Sequence, residues 1–183
     1  LVVFGTRVQA WEHALTFQDV FGLERVSVVG RDADRAAALA ARIEAELGVT
    51  ASTADSEAVA EADVVVTCTA ATAPLFDGTL VPEHATVVAM GSHTTDARET
   101  DDALARRATV AVESRDSAAR EAGDVTLAID SGALAGIEDT VTLAELVAGT
   151  ARRREGAPAL FVTTGMPWQD LVVASAVARE VLG

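Results

Sequence analysis

The sequence predicts an α/β protein of the doubly wound kind, a mostly parallel sheet with helices on both faces. Three observations predict it. Short β-branched runs alternate with alanine-rich amphipathic stretches along the whole chain. Several of the runs are continuously apolar, as strands covered on both faces must be, rather than alternating. A glycine turn sits directly between the first strand and the first helix.

The elements follow in order. Leu1 to Phe4 reads as a buried strand and Val8 to Val20 as a helix. Arg25 to Val29 is the second strand, and Ala33 to Leu47 the next helix, with Asp32 or Asp34 to cap its start and Gly48 to end it. Val49 to Ser52 is a short third strand, Ser56 to Glu61 a helical turn, Asp63 to Thr69 a fourth strand and Ala85 to Gly91 a fifth. Glu99 to Arg107 is helical, Thr109 to Glu113 a sixth strand, and Arg115 to Glu121 a helix ending at Gly123. Thr142 to Ala148 is a short helix, and Arg152 to Gly156 a solvated loop. Ala159 to Thr164 is a strand and Pro167 to Leu182 a last helix. No linker, repeat or low-complexity tract divides the chain, so residues 1–183 are expected to form one domain.

Composition narrows the function. With 28 acids against 14 bases the chain carries a formal charge of −14, which repels the phosphates of nucleic acid and anionic membrane surfaces alike. All the bases are arginine, so the chain has no side-chain amine for Schiff-base chemistry. The single cysteine, Cys68, has no internal disulfide partner, which suits a reducing compartment such as the cytoplasm. No apolar stretch approaches the roughly 18 residues of a membrane span, and no basic region ahead of an apolar stretch leads us to expect a signal peptide in this sequence. Three dispersed histidines and one cysteine lack the spacing of a metal site. There is neither a G-x-S-x-G elbow nor a phosphate-loop lysine, which argues against a hydrolase or a nucleoside triphosphatase.

In doubly wound proteins ligands lie at the carboxyl ends of the strands, and the first turn is the place to look. It reads Gly5-Thr6-Arg7-Val8-Gln9-Ala10. The dinucleotide fingerprint G-x-G-x-x-G/A wants a glycine for the tight turn, a second for close approach of the pyrophosphate, and a small third residue for packing. Gly5 and Ala10 fit, and Arg7 departs. An arginine there either blocks the pyrophosphate or donates its guanidinium to the same anion. At the end of the second strand stands Gly30-Arg31, where an NAD site would place an acid. A glycine in that position removes the repulsion of a 2′-phosphate and Arg31 can receive it, so NADP(H) is expected over NAD(H). The other readings are that Arg31 is a solvated loop residue, or that Asp32 folds back to the ribose.

The same turn, extended to His13, resembles the opening G-x-G-V-Q-A-x-x-H of the ornithine cyclodeaminase/μ-crystallin family. Thr67-Cys68-Thr69-Ala70 is similar to its T-x-T segment, and Gly91-Ser92-His93-Thr94-Thr95-Asp96-Ala97-Arg98-Glu99 to its G-S-H-x-P-D-x-R-E motif, with Thr95 in place of the proline. Val112-Glu113-Ser114, the Glu121-Ala122-Gly123-Asp124 turn, and Leu160-Phe161 through Gly165 to Gln169-Asp170 complete the likeness, which runs in order over nearly the whole chain.

The resemblance implies a Rossmann domain in which Gly5, Thr6, Arg7, Val8, Gln9, Arg31, Thr67, Thr69, Gly91 and Ser92 meet the cofactor. It also implies an N-terminal substrate and dimerisation domain, absent here, toward which the strand and helix of residues 158–183 turn. The implied activity is hydride transfer between NADP(H) or NAD(H) and the imine of a small amino acid, in a homodimer joined through that other domain. The implied alternative is a catalytically silent NADPH binder of the μ-crystallin kind. His93 stands where the cyclodeaminase and alanine dehydrogenase branches carry an aspartate. It is the candidate catalytic residue, as a general acid or base. His13 and His84 are expected to be structural. Asp96, Arg98 and Glu99 are expected to fix the loop and cap the helix that follows.

Overall fold

The computed structural model describes residues 1–182. Eight strands form one sheet: β1 (Val2–Phe4), β2 (Arg25–Val29), β3 (Thr50–Thr53), β4 (Val64–Thr67), β5 (Thr86–Ala89), β6 (Thr109–Val112), β7 (Val141–Thr142) and β8 (Ala159–Val162). Their order across the sheet is β3-β2-β1-β4-β5-β8-β6-β7. Every pairing is parallel. The chain winds outward from β1 to β3, then returns to lay β4 on the other flank of β1, so the crevice between β1 and β4 is the topological switch point.

Successive side chains of a strand face opposite ways, and the strand residues accordingly feed two cores. Val2, Phe4 and Val65 enter one core with Val87, Leu104, Val125 and Leu160. Val3 and Val66 enter the other, with Ala10, Trp11, Val28 and Ile43. The second core is closed by α1 (Val8–Phe21) and α2 (Ala33–Leu47). The first is closed by α3 (Asp102–Arg107) and α5 (Gly123–Asp130), with α4 (Arg115–Glu121) beside them.

α2 has the bounds the sequence predicts. Asp32 caps it by accepting from the Arg35 amide at 3.1 Å, and Gly48 ends it with φ +67, a conformation only glycine takes without strain.

Three elements depart from expectation. The helix expected from Glu99 begins only at Asp102, capped by Asp101, whose carboxylate accepts from the Leu104 amide at 2.8 Å. Gly123 does not end a helix but opens α5, and Ala122 between α4 and α5 serves both as a terminus. The strand β7 joins the sheet edge just before the predicted short helix, here α6 (Leu143–Val147), which Thr142 and Glu145 cap reciprocally. The triple-arginine loop is exposed, as the sequence predicts, and is also tethered. Arg153 donates to the carbonyls of Ala157, His84 and Glu83, and Arg154 to those of Arg107 and Ala108.

α7 (Pro167–Leu182) leaves the sheet with none of its residues buried. Its root is held by Glu113, which accepts from the amides of Thr164 and Gly165 and from Gln169 Nε2. Gly183, the last residue of the expected C-terminal segment, lies outside the described residues.

Candidate functional site at the switch point

The turn after β1 is shaped by contact with β4. Gly5 has φ +129, and a Cβ there would stand 2.9 Å from Cys68 Sγ and 3.0 Å from the Cys68 carbonyl oxygen. Only glycine fits. Arg7 starts α1 in extended geometry without a side-chain cap, and the first turn holds no acid. The amides of that turn, with Val8 and Gln9 exposed beside them, are therefore available to an anion at the positive end of the helix. Ala10 is fully buried against the sheet, which is the packing role of the fingerprint's small third residue.

The turn after β2 touches the turn after β1. A Cβ on Gly30 would meet the Thr6 methyl at 2.6 Å, so the two turns close on each other only because residue 30 is glycine. Asp32 turns away from this junction: one carboxylate oxygen takes the Arg35 amide and the other lies 3.2 Å from Arg35 Nε. Arg31 is exposed and, among the described residues, forms no ion pair.

Beyond β4 and β5, one buried carboxylate organises the strand ends. Glu99, with 0% exposure, accepts from Thr67 Oγ1 at 2.8 Å, from the Thr69 amide at 2.8 Å, from Thr69 Oγ1 at 2.6 Å and from the Gly91 amide at 2.7 Å. Four donors on one carboxylate satisfy it fully, which is what lets an acid sit where no water reaches. The fit leaves no slack at Gly91, where a Cβ would stand 2.1 Å from the Thr69 carbonyl oxygen.

A second buried acid, Asp124, supports the first. It accepts from the amides of Glu99 and Thr100 and from the Thr100 hydroxyl. Burial pushes the Asp124 carboxyl above the usual range against the pull of those hydrogen bonds. The Cys68 thiol is pushed up to about 12 by burial first and by the charge of Glu99 second, which keeps it unreactive.

The structure thus gathers the sequence-predicted residues in two groups joined by the contact of Gly5 with Cys68. Gly5, Thr6, Arg7, Val8 and Gln9 open α1. Thr67, Thr69 and Gly91 surround Glu99, and Ser92 and His93 follow Gly91 on its loop. Thr67 is fully buried, so its hydroxyl serves the carboxylate. The Ser92 hydroxyl is turned inward to the carbonyls of Thr94 and Ala97 and shapes the loop. His93 is exposed on that loop, its Nδ1 3.3 Å from the Gly91 carbonyl oxygen. His13 Nδ1 lies 2.7 Å from the Gln9 carbonyl oxygen, and His84 Nε2 lies 3.2 Å from Asp63.

Sequence reasoning missed the work of Asp124 and half of that of Glu99. It expects Glu99 to fix the loop and cap the next helix; Glu99 does hold the loop through the Gly91 amide, but the cap is Asp101, because a local run of acids offers no signal of which one is buried. Among the described residues no group of three or more His, Cys, Asp or Glu side chains is arranged to hold a metal. A cavity of about 870 Å³ opens at the opposite end of the sheet between Leu1, Phe17, Phe21 and Asp63, away from these residues.

Comparison with known proteins places the geometry among relatives. The model of the ornithine cyclodeaminase/mu-crystallin family matches residues 1–183. Ketimine reductase mu-crystallin of Mus musculus is 33% identical over 177 residues, covering 97% of this chain and 54% of the relative. Delta(1)-pyrroline-2-carboxylate reductase of Paracoccus denitrificans (strain Pd 1222) is 34% identical over 165 residues, covering 88% and 52%. The solved structure of Thermococcus litoralis Delta(1)-pyrroline-2-carboxylate reductase in complex with NADH and L-proline matches with a TM-score of 0.92 at 25% identity, over 99% of this chain and 57% of that one. This chain therefore spans about half the length of the curated relatives it matches.

Proposed function

Because this chain belongs to the ornithine cyclodeaminase/mu-crystallin family, we propose that it is the cofactor-binding part of an NAD(P)-dependent oxidoreductase acting on the imine of a small amino acid. The observation that carries this reading is the uncapped start of α1 at the switch point, beside strand ends held rigid by Glu99. The activities printed for the mouse and Paracoccus relatives support the substrate class.

The fit of a dinucleotide rests on this chain's own atoms. The pyrophosphate would take the first-turn amides of α1, which carry no side-chain cap among the described residues. When bound, the nicotinamide supplies or accepts the hydride. Thr69 and Gly91, fixed by Glu99, would form the floor on which it rests, because a misplacement of about 1 Å costs such a transfer on the order of 10²-fold in rate. Thr67 would act through Glu99. We assign to His93 the proton given to or taken from the substrate nitrogen; its exposed imidazole suits that task near neutral pH.

We assign NADP(H) as the preferred cofactor. Gly30 leaves no acid at the ribose, Asp32 is engaged by Arg35, and Arg31 has no partner among the described residues. Residues 1–183 are proposed to be one dinucleotide-binding domain, with α7 turned toward a substrate and dimerisation domain outside this chain. Turnover would then belong to the longer protein, a cytoplasmic homodimer, while this chain alone binds cofactor. The exposed apolar residues of α7 support that arrangement.

Titrating NADPH and NADH against tryptophan fluorescence tests the reading. Tighter binding of NADPH is expected; no binding of either overturns it, and equal affinity overturns the cofactor preference. A silent NADPH-binding homologue is the second reading, favoured by His93, whose one hydrogen bond among the described residues is to its own turn. Binding without reduction of a cyclic imine by the longer protein would select it.

A further inference from the structure

A groove of about 420 Å³ runs between α1 and α2, lined by Thr6, Arg7, Trp11, Glu12, Arg35 and Arg42 among others. Three of the chain's 14 basic residues line it, on a molecule whose formal charge is −14. A local cationic groove on an anionic surface selects a compact phosphate and still repels a polyanion.

The arginines differ in what they hold. The Arg42 guanidinium lies 3.6 Å from the centroid of the Trp11 ring and pairs with Glu46 at 2.9 Å, so it forms part of the wall. Arg35 meets Asp32 through Nε, at 3.2 Å. Its two Nη groups make no hydrogen bond among the described residues. Arg7 has no ion pair or side-chain hydrogen bond at all among them. Glu12 is the one carboxylate lining the groove.

The position of the groove identifies the phosphate. One of its lining residues is Thr6, whose methyl lies against Gly30, one residue before Arg31. The turn that would seat the pyrophosphate and the turn that would seat the adenosine ribose meet at that point. A group on the ribose 2′-oxygen would enter the groove from there.

We infer that Arg7 and Arg35, from opposite walls of the α1/α2 groove, grip the 2′-phosphate of the cofactor's adenosine ribose. Arg7, where the fingerprint has glycine, is then neither a block to the pyrophosphate nor its ligand. It is a specificity-determining residue for the phosphate next door. The inference rests on the proposed preference for NADP(H).

The test uses this chain carrying Trp168→Phe, so that Trp11 in the groove is the reporter. Dissociation constants are measured for NADPH, NADH, adenosine 2′,5′-bisphosphate and AMP. Arg7→Gly restores the fingerprint residue, and glycine is tolerated at a helix start, so folding is not at issue. Arg35→Gln keeps the amide that Asp32 accepts.

Each substitution is expected to lower the NADPH-to-NADH affinity ratio about 10-fold, the worth of one charged hydrogen bond to phosphate, and to weaken the bisphosphate but not AMP. An NADPH preference that survives both substitutions overturns this inference and leaves the cofactor assignment standing. Equal affinity of the parent chain for NADPH and NADH overturns both.

Discussion

Thr100 donates its amide and its hydroxyl to the same oxygen of Asp124, at 2.7 and 2.6 Å. The amide of Glu99 donates to that oxygen as well, at 3.0 Å. One atom of a buried aspartate thus fixes the backbone from which the Glu99 side chain reaches back to β4 and β5.

The first prediction concerns that oxygen. An asparagine can present an equivalent oxygen, whereas alanine leaves three buried donors unpaired, so Asp124→Ala should lose about 2–4 kcal/mol of stability in urea denaturation. The Asp124 carboxyl is raised in the folded state by burial, so the folded chain holds the proton more tightly than the unfolded one. Its contribution is full below the ordinary aspartate range and is lost as pH rises through the folded value. Asp124→Asn should remove that slope; an unchanged pH dependence would refute the assignment.

Glu99→Gln tests the strand-end clamp. The carboxylate accepts from four donors, and an amide nitrogen must face one of them donor to donor. A loss of about 2 kcal/mol is expected by chemical denaturation. NADPH affinity should fall with it under conditions where the variant is still fully folded, because Thr69 and Gly91 lose their common anchor. Unaltered affinity in the folded variant would detach Glu99 from cofactor binding.

A third prediction is a double-mutant cycle across the two glycine-bearing turns. Gly30→Ala should cost about 1–2 kcal/mol, since its Cβ would meet the Thr6 methyl at 2.6 Å. In a Thr6→Ser background, which removes that methyl, most of the cost should vanish, and thermal unfolding measures the coupling.

The last concerns α7. Leu171 and Val172 are 66% and 61% exposed, so their replacement by glutamine should change stability by no more than about 0.5 kcal/mol. Binding of a hydrophobic dye should drop. A large loss of stability instead would mean that the helix packs on its own sheet.

The parts of the fold legible in the sequence were those with local chemistry. α2 is bounded by an aspartate cap and a left-handed glycine, and β2 by a β-branched run, and both lie where the sequence places them. α5 was not legible because a glycine in the first helical position looks the same as one past the last. β7 has two residues, too few for any periodicity to show. Arg153 and Arg154 are exposed as the sequence predicts, but their tethering was not legible, because their partners are carbonyl oxygens from distant segments, which leave no trace in residue type. The site divided the same way. The Gly5 turn is a local motif, whereas the hydrogen bonds of Glu99 to Thr67, 32 residues away, and to Thr69, 30 residues away, depend on tertiary folding. The place of β8 between β5 and β6 is likewise a tertiary choice.

The Glu99 clamp also sets how the top of the sheet comes apart. The amides of Thr69 and Gly91 end on its carboxylate, and its own amide and that of Thr100 end on Asp124. None of these four protons can reach solvent by fraying of a single loop, since each is held by a side chain that the others hold in place. They form one opening unit, and their hydrogen exchange should proceed at a common free energy. The surface proposed to carry the chemistry would therefore be intact or absent as a whole.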